Sequence, residues 1–121
     1  MRKLTLVFMA AGLSLLGGCD IDTVAAEKPT AAQRGADLIA EVGCGSCHTI
    51  PGIQGANGLV GPPLDQMARR IYIAGKLRNS PDNMVRWILN PQKVSPGNAM
   101  PDMGLTESQA EDITAYLATL E

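Results

Sequence analysis

The stretch "CGSCH", Cys44 to His48, places two thiols and the chain's single imidazole within five residues. Four chemistries use such a group: a disulfide, a redox-active thiol pair, a metal site, and covalent attachment of haem. A reactive C-x-x-C pair belongs to a thioredoxin-like sheet, and no stretch of this sequence alternates apolar and polar residues long enough to build one. A structural zinc ion needs four ligands, and Cys19 is the only other Cys or His in the chain. The fourth chemistry uses every group present. In C-x-x-C-H the thiols add across the two vinyl groups of the porphyrin, and the adjacent histidine becomes the proximal iron ligand. Gly45 and Ser46 between the thiols are small enough to let the backbone lie against the porphyrin edge. Cys44, Cys47 and His48 are therefore read as the attachment site of one haem c.

A haem held on one side by His48 needs a second axial group. Of the methionines beyond Cys19, Met84 falls on a helical core face and Met67 beside a short helix, where a flexible thioether serves as core filler. Met100 and Met103 sit in an irregular segment able to cross the far haem face, and Pro101 holds Met100 extended. Both stay open on these grounds.

The elements that position these groups follow from punctuation and period. "TAAQ" from Thr30 is a capping box, and Ala36, Ile39, Ala40 and Gly43 share a face with Leu38 and Val42 beside it, predicting a helix over 31–42. Residues 43–64 hold six glycines and three prolines, which exclude a long regular element. A loop of that length in a compact domain wraps something. A short helix is expected around 65–71. Ser80 as N-cap, Pro81 at the first helical position and Pro91 as the stop define another helix, with Met84, Val85, Ile88 and Leu89 on its buried face. After an irregular stretch, "TESQ" at Thr106 caps a last helix with Ile113, Tyr116, Leu117 and Leu120 as its stripe. The expected class is all-α: three main helices, a short helix and long loops. Aromatic residues make up only 3% of the chain, so the helices lack a large aromatic filler.

The N-terminus has the layout of an export signal: Arg2 and Lys3, an apolar run, then "LLGGCD". That apolar run is shorter than the roughly 20 residues of a membrane-spanning helix. "LLGGC" resembles a bacterial lipobox, so residues 1–18 are expected to be removed and Cys19 to carry lipid. Residues 19–29 then form a tether, whose ten residues after the cysteine reach at most about 35 Å, and 30–121 form a single domain. Formal charge is −2, and loss of Arg2 and Lys3 makes the chain more acidic. There is no basic patch of the kind that binds nucleic acid. The three cysteines are accounted for: two for haem, one for lipid.

"CGSCH", "GPPL", "NSPDNMVRWILNPQKVSPGNAMPDMGLT" and "ITAYLATL" together resemble a class I cytochrome c over about residues 31–120. These stretches also resemble the cytochrome c domain of subunit II of caa-type oxidases, here without that subunit's copper ligands or membrane helices. The resemblance implies a cytochrome c fold around a covalent haem, with the methionine of "MP", Met100, as distal ligand. It implies that the Pro62 carbonyl accepts the second ring proton of His48. It also places Trp87, and Arg70 or Arg69, near the haem propionates, and Gly35 and Tyr116 where the first and last helices cross.

The expected function is single-electron transfer between respiratory redox proteins by a monohaem cytochrome anchored on the periplasmic side of the bacterial inner membrane. It is not expected to be an enzyme by itself. One alternative is a fixed haem subunit of a dehydrogenase or oxidase complex. The other is a haem peroxidase or gas sensor in which Met100 leaves the iron, for which no distal His, Arg or acid–base pair is identifiable.

Overall fold

The computed structural model describes residues 27–121; the leader and Cys19 lie outside the described residues. Four helices and one short ribbon follow in order: α1 (Ala31–Val42), β1 (Tyr72–Ile73), β2 (Leu77–Arg78), α2 (Pro81–Leu89), α3 (Pro91–Val94) and α4 (Glu107–Leu117). Single 3-10 turns at Cys44–Ser46 and Met67–Arg69 punctuate the loops.

The caps read from sequence form as expected. Thr30 and Thr106 each close a capping box with the Gln three residues on, and the Ser80 side chain accepts from the Asn83 N–H. Each occupies donors that a helix start would otherwise leave unpaired. Pro91 both ends α2 and opens α3, a single turn absent from the sequence prediction, and its side chain is fully buried. The short helix expected at 65–71 shrinks to the Met67–Arg69 turn.

The all-α class holds, with the ribbon as an addition too short for alternation to signal. Ala74 and Gly75, both at positive φ, turn the chain so that Ile73 pairs with Leu77 and Tyr72 with Arg78. The Arg78 guanidinium carbon lies 6.0 Å from the Tyr72 ring centroid, within cation–π range.

Helices α1 and α4 make the most extensive contact in the fold. Gly35 permits it: a Cβ there would run into the Asp112 backbone carbonyl and stand 3.1 Å from the Ile113 Cα. The phase of α1 is thereby set by Gly35 and Ile39, which are buried, whereas Ala40, expected on the same face, is exposed. Beside the crossing, Arg34 grips Asp112 through two bonds of 2.8 and 2.6 Å and donates to the Pro29 carbonyl at 2.7 Å. Tyr116 extends the clamp, donating its hydroxyl to the Pro51 carbonyl at 2.6 Å. That bond ties α4 to the loop behind His48.

The Arg34 guanidinium holds the Asp112 carboxyl below the usual carboxylate range. A depressed pKa stabilises the fold fully above the unfolded value of about 3.9 and stops doing so as pH falls through the folded value. Asp112→Asn should therefore cost stability at neutral pH, with the gap to the parent closing below about pH 4. Urea unfolding midpoints of both proteins from pH 7 to pH 2 measure this, and a gap that stays constant with pH contradicts it.

Candidate functional site

Gly43 ends α1 in the left-handed region, at φ 85°, where its N–H closes back on the Ile39 carbonyl. A glycine meets that conformation without steric penalty. The chain then coils tightly: the N–H groups of Cys47 and His48 both donate to the Cys44 carbonyl, at 3.2 and 3.0 Å. This turn brings Cys44, Cys47 and His48 to one cavity of about 540 Å³. The cysteines are not bridged to one another. Burial pushes the Cys44 thiol above its ordinary pKa, against a smaller opposing effect of a backbone hydrogen bond.

Three glycines make the coil fit its surroundings. A Cβ on Gly45 would come within 2.6 Å of the Ala56 Cα, on Gly58 within 2.6 Å of the Cys47 carbonyl carbon, and on Gly61 within 2.6 Å of the His48 Nδ1. The glycine-rich loop is thus a close wrap around the C-x-x-C-H turn. The imidazole is oriented in the same place, with Nδ1 of His48 2.7 Å from the Pro62 carbonyl oxygen. A carbonyl can only accept, so Nδ1 carries the proton and the Nε2 lone pair is left for a metal.

Met100 reaches the same cavity from the segment after α3, and so does Met103. Their backbones differ. The Met100 N–H donates to the Asn98 side-chain oxygen at 2.7 Å and its carbonyl accepts from the Gln92 amide at 2.8 Å. Among the described residues, no hydrogen bond reaches the Met103 backbone. Sequence reasoning passed over Gln92 and Asn98, since polar residues in a Pro- and Gly-bearing loop read as ordinary turn formers.

Trp87, half-buried on α2, and Arg70 also line the cavity. Arg70 donates to the carbonyls of Pro63 at 2.5 Å and Asp65 at 2.9 Å, which ties the end of "GPPL" to the cavity wall. Arg69 is not among the lining residues. Met67 and Met84 are both 5% exposed and form part of the cavity floor as well as the core.

The donor set fits a haem. Two unbridged thiols, one imidazole with a free Nε2 and one positioned thioether meet in a single cavity whose other walls are mostly apolar. The volume lies within the roughly 300–1,000 Å³ of cofactor pockets. Among the described residues no group of three or more His, Cys, Asp or Glu side chains gathers to hold a bare metal ion.

Residues 32–121 match the cytochrome c family model. Among curated proteins the chain is 35% identical over 98 residues to cytochrome c oxidase subunit 2 of Alkalihalophilus pseudofirmus, a match covering 78% of this chain and 28% of that protein. It is 33% identical over 82 residues to the same-named protein of Bacillus sp. strain PS3, covering 64% of this chain and 23% of that one. The chain thus spans less than a third of the length of these relatives. Among solved structures, the c-type cytochrome SorU from Sinorhizobium meliloti matches with a TM-score of 0.52 at 21% identity, over 74% of this chain and 90% of that one. That likeness shows a shared fold.

Proposed function

This chain belongs to the cytochrome c family, and from that premise we propose that it is a lipid-anchored, periplasm-facing monohaem carrier of single electrons between respiratory redox proteins. Electron transfer and a covalently bound haem c follow from the family itself. The observation that supports the haem site is the meeting of Cys44, Cys47, His48 and Met100 in one cavity.

Bound there, haem supplies a reversible one-electron iron couple. Cys44 and Cys47 would hold it by thioether bonds. His48 ligates through Nε2, with its ring plane and tautomer kept by the Pro62 carbonyl 2.7 Å from Nδ1. Met100 would offer the iron a soft thioether, a ligand type that raises the potential. Trp87 and Arg70 would serve the propionate side. The mostly apolar walls would exclude water from the group.

Residues 1–18 act as a lipoprotein signal, Cys19 as the lipid carrier and 19–29 as the tether of the 30–121 domain. No helix among the described residues is long and apolar enough to cross a membrane; in this reading the lipid on Cys19 is the anchor. The likeness to oxidase subunit 2 favours a second reading, in which the domain is fixed to an oxidase complex. Co-purification that survives high salt separates the two, because transient redox contacts are small and salt-sensitive.

One fractionation tests both haem and anchor. Cells producing the parent or Cys19→Ala are separated into membrane and soluble fractions, run on a haem-stained gel and followed by absorption spectra before and after reduction. The parent should stain in the membrane fraction and the variant in the soluble one, both with a reducible haem c spectrum. A band without haem sinks the cofactor assignment, and a variant still bound to membrane sinks the anchor.

A further inference from the structure

We propose that the side-chain amides of Gln92 and Asn98 form a clasp that sets how often the Met100 thioether leaves the iron. The proposal rests on the reading of Met100 as distal ligand, and it assigns two positioning residues to that site.

Between the end of α3 at Val94 and the Thr106 cap the chain has no helix or strand, so something other than a ladder must order it. The order comes from two amides that each donate twice and accept once. Asn98 donates from Nδ2 to the carbonyls of Pro91 at 2.9 Å and Ser95 at 2.7 Å, while its Oδ1 accepts the Met100 N–H at 2.7 Å. Gln92 donates from Nε2 to the carbonyls of Asn98 and Met100, both at 2.8 Å, while its Oε1 accepts the Gly97 N–H at 3.1 Å. Each nitrogen faces two carbonyls and each oxygen faces an N–H, so flipping either amide would put like against like.

The effect is to restrain both peptide groups of Met100. One end of the clasp is fixed, because Pro91 is fully buried. On the other side Pro101 stiffens the exit from Met100. A ligand loop already held in its bound conformation loses little entropy when the sulfur binds, whereas a loose one loses more and lets go more often. Met103 lines the same cavity without such restraint. The two amides contribute unequally: the Asn98 bonds are partly buried and those of Gln92 exposed, where water replaces a lost partner cheaply.

The test compares holoproteins carrying Asn98→Ala, Gln92→Ala and, as control, Gln109→Ala, which removes an amide of the same kind from the distant α4 cap. Three readouts are taken at neutral pH: carbon monoxide uptake by the ferrous protein, the melting midpoint of the weak far-red band of the Met-ligated ferric haem, and the midpoint of helix loss. Uptake should rise about tenfold in Asn98→Ala and about threefold in Gln92→Ala. In both, the far-red band should disappear at a lower temperature than the helices. Gln109→Ala should lower the helix midpoint and leave uptake at the parent rate. Equal uptake in all three variants, or loss of band and helix together in each, overturns the clasp. If Asn98→Ala yields no holoprotein, Gln92→Ala against Gln109→Ala decides alone. Met100→Ala is run in parallel: if it keeps the band, the ligand reading has failed and the clasp with it. If it loses the band while Asn98→Ala behaves like the control, only the clasp has failed.

Discussion

Met100→Ala should abolish the far-red band of the ferric holoprotein, lower the reduction potential and open the ferrous iron to carbon monoxide, whereas Met103→Ala should leave all three as in the parent. The expected fall in potential is on the order of 0.2 V, a fraction of the roughly 0.8 V over which axial ligands tune haem. The cavity does not separate the two methionines, because both line it. The distinction is one of restraint. Met100 is bonded at its N–H and its carbonyl and is followed by proline, so its side chain is presented from a fixed backbone. Met103 precedes Gly104, at φ 67°, in a part of the loop where the described bonds are local. Potentiometry and spectra of the two variants measure the difference. The opposite outcome, with Met103→Ala losing the band, moves the ligand by three residues.

Gly61→Ala is expected to be the added methyl that most directly disturbs the His48 ring. The added Cβ would lie 2.6 Å from the His48 Nδ1 and 2.9 Å from its Nε2, well inside contact distance. Neither partner can retreat. The Gly61 N–H is held by the Cys47 carbonyl at 2.8 Å, and the His48 ring by the Pro62 carbonyl at 2.7 Å. Relief comes only by breaking one of these bonds or swinging the imidazole away from the iron. Overpacking of this kind costs about 1–3 kcal/mol in stability, and here it also disturbs the Pro62 bond that orients the imidazole, a kind of bond worth roughly 10–100-fold in affinity or activity at a metal-binding histidine. Haem-stained yield should drop by about that factor, and what forms should lack a normal His–Met spectrum. Gly55→Ala is the control. Its φ of 76° makes alanine strained, yet nothing lies within 4 Å of its Cβ position, so it should cost about 1–2 kcal/mol and leave the spectrum intact. Full haem incorporation and an unchanged spectrum in Gly61→Ala refute the tight wrap around His48.

Much of the fold was legible before any coordinates. The caps at Thr30, Ser80 and Thr106 appear where side-chain type and spacing placed them, because a cap is a local contract between residues three apart. The α2 core face came through for the same reason, with Met84 and Ile88 buried. Failures occurred where tertiary contact overrode local period. Helix α1 turned its Gly35 edge inward, because that is where α4 can approach, and left Ala40 outside. The helix expected at 65–71 was reduced to one 3-10 turn: Gln66 enters at φ 54° and Arg70 leaves in an extended conformation to reach the carbonyls of Pro63 and Asp65.

The sequence by itself determined the cofactor chemistry and the family, since C-x-x-C-H sets two thiols and an imidazole at a spacing that covalent bonds enforce and no folding can alter. It also set Met100 and Met103 in an irregular segment able to reach the site, and both line the cavity. Only the tertiary structure decided what makes those groups usable. The tautomer of His48 depends on a carbonyl fourteen residues away. The room for its ring depends on the missing Cβ of Gly61, and the hold on Met100 on amides at Gln92 and Asn98. The Pro62 carbonyl was signalled only through the likeness of "GPPL" to the family, and the room at Gly61 and the amide bonds at Met100 have no signature in residue type. A carbonyl, an absent atom and a neutral amide acquire their roles only from what folding sets beside them.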